Sequence, residues 1–277
     1  MIYIGLMGGL GNQLFQIFCG ISYANENNIE FRIIGIKNDL VSPCDKRCLR
    51  PTYFNNFLTN LKQFTCNCIN LPQYNERTFT YKKIPFLNKD FKINGYFQSP
   101  KYFENNYKKI IDLIELDKQK CIIKNKYNYY LNDKTISIHF RFGDFLKSPD
   151  YHLILNTEYY IKSLETIIEK DNNCINVLYF NEKQDNNLIE NIIKNIKQVY
   201  PNLNFINCDY NIQDWEQLLL MSLCNHNIIA NSTFSWWAAY FNSNSEKIIC
   251  YPNVWFGPKC NNSTRDLFPE NWNKIFI

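Results

Sequence analysis

Thr135-Ile-Ser-Ile-His-Phe-Arg-Phe-Gly-Asp-Phe145 sits near the middle of the chain, and its reading decides the fold. Its first six residues are rich in β-branched and aromatic side chains. With Asn132-Asp133 before them and Gly143-Asp144 after, they predict a strand over 135–140. Arg141, Gly143 and Asp144 follow in a short polar turn. In an open α/β sheet, ligands bind just beyond the carboxyl ends of strands. An arginine placed there, always charged and carrying a rigid fork of donors, suits a phosphate or a carboxylate. An Arg141–Asp144 ion pair that only ties down the loop fits the same residues, and this stretch alone leaves both readings open.

Downstream, apolar runs over 175–180, 204–208, 227–230 and 247–251 alternate with helical patterns over 157–169, 185–199, 213–223 and 233–241. Asn156 or Thr157 can cap the first of these helices, and Pro201 closes the second. Five strands alternating with four helices predict a doubly wound parallel sheet. Upstream, a strand over 2–6, a loop Gly8-Gly9-Leu10-Gly11, a helix over 12–25 and a strand over 31–34 form half of a Rossmann-like unit. Residues 37–94 carry scattered prolines and many Asn, and predict long loops with short helices such as 53–61. A helix is expected over 101–116, followed by a polar segment 117–134 that holds the boundary. The domains expected are therefore 1–125 and 126–277.

Composition narrows the function. The 277 residues are 45% hydrophobic and 16% aromatic, enough for a sizeable core. A net charge of +4 without a long Lys/Arg run argues against a nucleic-acid binder. Residues 1–6 already read as a strand, which leaves no room for a signal peptide, and no later run reaches the ~18 apolar residues of a membrane span. A soluble, cytoplasmic protein is expected. The 11 cysteines are read as reduced core or loop thiols; a zinc site from Cys44, Cys48, Cys66 and Cys68 has CxxxC and CxC spacings that match zinc knuckles poorly.

Two further segments can carry chemistry. Ile228–Tyr240, IIANSTFSWWAAY, ends a strand and places Asn231, Ser232 and Thr233 at the start of a helix, where hydroxyls and free N–H groups can hold a diphosphate without a metal. An ordinary helix cap with an aromatic core face is the plainer reading of the same residues. In the glycine loop, Leu14 fills the third glycine position of GxGxxG, which sets a nicotinamide cofactor aside, although Asn12 and Gln13 can still face a ligand. The chain has no DxD, HExxH, P-loop or GxSxG motif and three histidines, His139, His152 and His226. No metal and no cofactor are expected.

Together, Gly8-Gly-Leu-Gly-Asn-Gln-Leu-Phe-Gln16, Gly95-Tyr-Phe-Gln-Ser99, His139-Phe-Arg-Phe-Gly-Asp144 and Ile228-Ile-Ala-Asn-Ser-Thr-Phe-Ser-Trp-Trp-Ala-Ala239 resemble the α-1,2-fucosyltransferases of glycosyltransferase family 11, in the family's order and over nearly the whole chain. The resemblance implies a GT-B-like fold, two Rossmann-like domains facing a cleft, the nucleotide in the C-terminal one. It implies metal-independent, inverting transfer of L-fucose from GDP-β-L-fucose to a galactoside hydroxyl, so the partners implied are GDP-fucose and a galactose-terminated glycan. Arg141 matches the arginine that grips the diphosphate, His139 the histidine near the guanosine, and Ser232, Thr233 and Phe234 the segment around the phosphates, with Asn231 and Asp144 beside them. Gly9, Gly11 and Asn12 match the glycine loop, whose asparagine faces the reaction centre. Phe142 stands where the family usually has a second arginine, and phenylalanine cannot donate to a phosphate oxygen. The alternative is therefore a nucleotide-sugar- or glycan-binding protein of this fold with little or no turnover. For the base that deprotonates the acceptor hydroxyl, the residues leave Asp39, Glu76 and Asp90 open, and they do not choose an acceptor.

Overall fold

Every strand pair in the two main sheets runs parallel, as short apolar runs joined by amphipathic helices require. The computed structural model describes residues 1–35, 39–41, 49–67, 70–131 and 133–277. Its elements are β1 (Ile2–Gly5), α1 (Leu10–Glu26), β2 (Phe31–Ile34), β3 (Asp39–Val41), β4 (Leu49–Pro51), β5 (Thr65–Cys66), β6 (Gln73–Asn75), β7 (Phe91–Asn94), α2 (Tyr107–Leu113) and α3 (Leu116–Lys126). There follow β8 (Thr135–His139), α4 (Thr157–Ile168), β9 (Asn176–Phe180), α5 (Asn186–Val199), β10 (Asn204–Asn207), α6 (Asp214–Leu223), β11 (His226–Ile228), α7 (Thr233–Phe241), β12 (Ile249–Pro252) and β13 (Asn273–Ile275). The chain forms two compact units, one of Met1–Gln119 with Asn262–Pro269, the other of Lys120–Asn261 with Glu270–Ile277. Both are Rossmann-like, which makes the chain an α/β protein of the GT-B-like kind.

In the second unit the sheet order is β10-β9-β8-β11-β12-β13. Counted within the unit, that is the doubly wound order 3-2-1-4-5-6, whose ligand crevice lies at the carboxyl ends of its first and fourth strands. Those strands are β8 and β11. Every residue of β8 is buried, because helices cover both faces of a parallel sheet. The stripe Ile189, Ile192, Ile193 and Ile196 seals α5 onto the core, while its Asn, Lys and Glu residues face water. Each such burial contributes roughly 1.5–3 kcal/mol. Asn156 caps α4, its side chain accepting the Tyr159 N–H at 3.1 Å.

The first unit orders its strands β5-β2-β1-β7-β6, so its crossover falls between β1 and β7. Helix α1 lies so close to the sheet that a Cβ on Gly20 would meet Ile4 Cγ1 at 2.3 Å. The expected helix over 53–61 is instead a 3-10 helix, Thr59–Phe64. The helix expected over 101–116 starts only at Tyr107, behind the 3-10 turns Pro100–Tyr102 and Glu104–Asn106. Glu115, at φ 52, ends that run and α3 begins immediately after it, inside the stretch read as a polar boundary. Its Lys120 is buried and donates to the Phe241 carbonyl at 2.7 Å, which explains how so polar a helix is held. Strand β13 has no counterpart among the strands expected from the sequence.

Candidate active site

In the second unit, β8 runs straight into the site. Its last residue, His139, is buried, with a ring nitrogen, Nδ1, that finds no hydrogen-bond partner among the described residues. Burial first, and the Arg141 charge second, push the imidazole down to about 3, so it is neutral at physiological pH. The ring lies 5.5 Å from that of Phe234 in α7, which joins the two sequence motifs physically. Arg141, two residues on, donates to Asp144 Oδ1 at 2.6 Å and to Glu182 Oε1, and packs 5.3 Å from the Phe145 ring. Phe145 in turn stacks on His152 at 4.1 Å. The ion pair is present, and it does not exclude an anion clamp. Two carboxylates hold the guanidinium in place, and a guanidinium has five N–H donors, so these two bonds leave others for a ligand.

Glu182 had no place in the sequence reading. It follows β9, which pairs with β8 along the whole strand, so residues just past both strand ends become neighbours despite lying 41 apart in sequence. That rule of parallel pairing is the signal that finds it. Gly143 is fixed by the same neighbour: it sits at φ +27, and a Cβ there would meet Glu182 Oε2 at 2.6 Å. Its N–H donates to the buried Asp185 at 2.9 Å. Phe142 points the other way. It is buried in the core cluster that also holds Leu155, Tyr159 and Tyr160 and stacks on Phe140, so in this chain the position of a second arginine is a core position.

At the other side of the crossover, Ser232 caps α7 and accepts the Phe234 N–H at 3.4 Å, with Thr233 as the first helical residue. The first-turn N–H groups and the helix dipole favour an anion there. Asn231 is a brace. It is buried, and its side-chain amide donates to the Leu153 and Trp255 carbonyls at 2.9 and 3.1 Å, which occupies both side-chain N–H donors.

The first unit has its own polar edge. Gly8, at φ +77, shapes the loop after β1, and a Cβ on Gly9 would meet open space. Gly9 precedes α1 and Gly11 lies buried in its first turn. Gln13 ties the Gly8 carbonyl to the Pro51 carbonyl at 3.0 and 2.8 Å, so it holds the loop and does not face a ligand. Asn12 accepts from Gln98 Nε2 at 2.9 Å, which brings the glycine-loop motif together with the GYFQS motif across β1 and β7. Of the candidate bases, Glu76 follows β6 at this carboxyl edge. Asp90 lies at the opposite, amino edge, paired with the chain's terminal ammonium at 2.9 Å. The side chain of Asp39 lies outside the described residues, as do Cys44, Cys48 and Cys68 of the weighed zinc set.

Among the described residues one cluster has metal-like geometry: Asp171, Cys174 and His226, with ligand atoms within 4.8 Å. His226 Nδ1 accepts the Ile248 N–H at 3.0 Å, so Nε2 carries the proton and donates to Asp171 at 3.2 Å. Lys134 already supplies the cation, 2.7 Å from Asp171. The cluster lies at the amino edge of the sheet, away from the site, and reads as a structural tie.

Comparison with known proteins gives the class and the family. The family model described as Glycosyl transferase family 11 matches residues 3–276, and the chain belongs to that family. It is 26% identical to an O-antigen biosynthesis glycosyltransferase, WbnK, of Escherichia coli, over 98% of this chain and 99% of that one. It is 24% identical to an alpha-1,2-colitosyltransferase of Escherichia coli, over 98% and 97%. Among solved structures, a NodZ alpha-1,6-fucosyltransferase soaked with GDP-fucose aligns over 86% of this chain and 90% of its own, at 12% identity and a TM-score of 0.43. At that level of likeness the fold rests on the two parallel sheets themselves. Among the described residues, no helix is long and apolar enough to cross a membrane.

Proposed function

We propose that this glycosyltransferase moves L-fucose from GDP-β-L-fucose to the 2-hydroxyl of a galactoside, with inversion and without a metal. The observation that carries the reading is the placement of Arg141 and the start of α7 at the two strands flanking one crossover, with His139 and Phe234 in ring contact there. Breaking the sugar–phosphate bond builds cationic character on the sugar and negative charge on GDP. Fixed donors aimed at that leaving diphosphate stabilise the transition state, by about 3–4 kcal/mol for a key donor. Arg141 and the first-turn N–H groups of α7 supply such donors, the role a divalent ion has in other transferases. His139, neutral, meets the nucleoside without adding charge. Asn12, oriented by Gln98, faces the acceptor with the Gly9–Gly11 loop.

The test is product analysis with GDP-fucose and a panel of galactose-terminated acceptors, in excess EDTA. The expected result is a 2-fucosylated galactoside formed at the rate seen without EDTA. Strict metal dependence, or GDP binding with neither hydrolysis nor transfer, contradicts it. The name of the colitosyltransferase relative favours a second donor, a nucleotide-linked colitose, acting at the same 1,2 linkage. Competition between the two sugar nucleotides separates these readings.

A further inference from the structure

We propose that Glu76 is the general base that takes the proton from the acceptor hydroxyl, and that the 95–98 loop is built to hold it. The inference rests on the transfer reading above. Glu76 is the first residue past β6, at the same carboxyl edge as Asn12 and Gln98. Its Oε2 accepts two backbone N–H groups, from Tyr96 at 2.8 Å and Phe97 at 3.1 Å. Its Oε1 has no hydrogen bond among the described residues. One oxygen is pinned and the other is left to accept.

The loop is shaped around this carboxylate. A Cβ on Gly95 would meet Glu76 Cβ at 2.4 Å, so only glycine lets the loop close over it. Phe97 takes φ 51, a left-handed conformation that is strained for a bulky residue. Burial of its ring, edge-on to Tyr102 at 5.4 Å, holds it there. The strain aims the Phe97 N–H at Glu76, and the next residue, Gln98, bonds Asn12. Burial lifts the Glu76 carboxyl above the ordinary glutamate range, and the two amide donors limit the rise. The titratable and charged groups around it are Tyr74 and Arg77 on its own segment, Cys19 of α1, and Tyr102; burial first, and the Glu76 charge in addition, push the Tyr74, Cys19 and Tyr102 ionisations upward.

In the step, the acceptor oxygen bonds the anomeric carbon and the bond from that carbon to the phosphate oxygen breaks. The electron pair leaves on GDP, and the hydroxyl proton passes to Glu76 Oε1 and then to water. Glu76→Gln keeps the shape and an oxygen for both amides but removes the base. It should lower kcat by at least ~100-fold, the low end for general-base catalysis, with acceptor KM and GDP affinity little changed. The acidic limb of the wild-type kcat–pH profile, with its midpoint above the ordinary glutamate range, should vanish in Glu76→Gln and persist at reduced rate in Glu76→Asp. Near-wild-type kcat in Glu76→Gln, or a limb that survives there, overturns the assignment. A wild-type profile without an acidic limb overturns it too, should Glu76→Gln fail to fold. Turnover by the wild type with an indifferent Glu76→Gln removes this inference alone; a wild type that transfers neither sugar removes the reaction with it.

Discussion

Where β8 meets β11, the carboxyl edge carries a guanidinium, a neutral imidazole and a hydroxyl-capped helix start. Where β1 meets β7, it carries amides and a half-buried carboxylate. The two edges are topologically alike, since each lies at the crossover of a parallel sheet, the place where such sheets bind ligands. What separates them is the charge of the groups delivered there. A leaving diphosphate needs fixed positive charge and N–H donors; a neutral sugar hydroxyl needs orienting amides and an acceptor for its proton. On the proposed reaction, topology provides the place and side-chain chemistry divides the labour.

The largest effect expected from a single change near the nucleotide edge is on stability. Phe142 and Arg141 are neighbours with opposite duties. Phe142→Ala should cost about 3–5 kcal/mol of unfolding free energy by leaving a hole in the core, with GDP affinity per folded molecule unchanged. Denaturant unfolding alongside GDP titration checks it, and lost affinity in a folded Phe142→Ala protein would move this residue into the site. A smaller, pH-dependent effect tests the neutral imidazole. His139 titrates near 3 when folded and near 6.5 when unfolded, so the unfolded chain binds the extra proton between those values. Its contribution is complete above about 6.5 and is lost as the pH falls through that window, at up to ~1.4 kcal/mol per pH unit. The difference in stability between wild type and His139→Gln should therefore slope with pH in that window and be flat above it. A slope above neutrality would mean that the ring is charged in the native state.

The second unit was largely legible. Its strands and helices announce themselves because each is long enough to show a period, and α7 falls at 233–241 as read. The first unit was legible only at α1, β1 and β2. Strands β5, β6 and β7 are two to four residues long, too short for alternation to emerge, and β7 shows only Phe91 and Ile93 as buried alternates. Arg141, His139 and Phe234 could be found by motif, since each stands at a strand end or helix start. Glu182 could not, because its role comes from pairing between β8 and β9, and the brace role of Asn231 depends on two loops that its own segment does not reveal.

The division of labour between the edges is tested most directly by titrating GDP into Arg141→Ala and Asn12→Ala side by side, with transfer measured on both. Arg141→Ala should weaken GDP by about 10–100-fold, the worth of a charge-assisted hydrogen bond, and abolish transfer. Asn12→Ala should bind GDP as the wild type does and still lose turnover. Wild-type GDP affinity in Arg141→Ala, or weakened GDP binding in Asn12→Ala, would contradict the account.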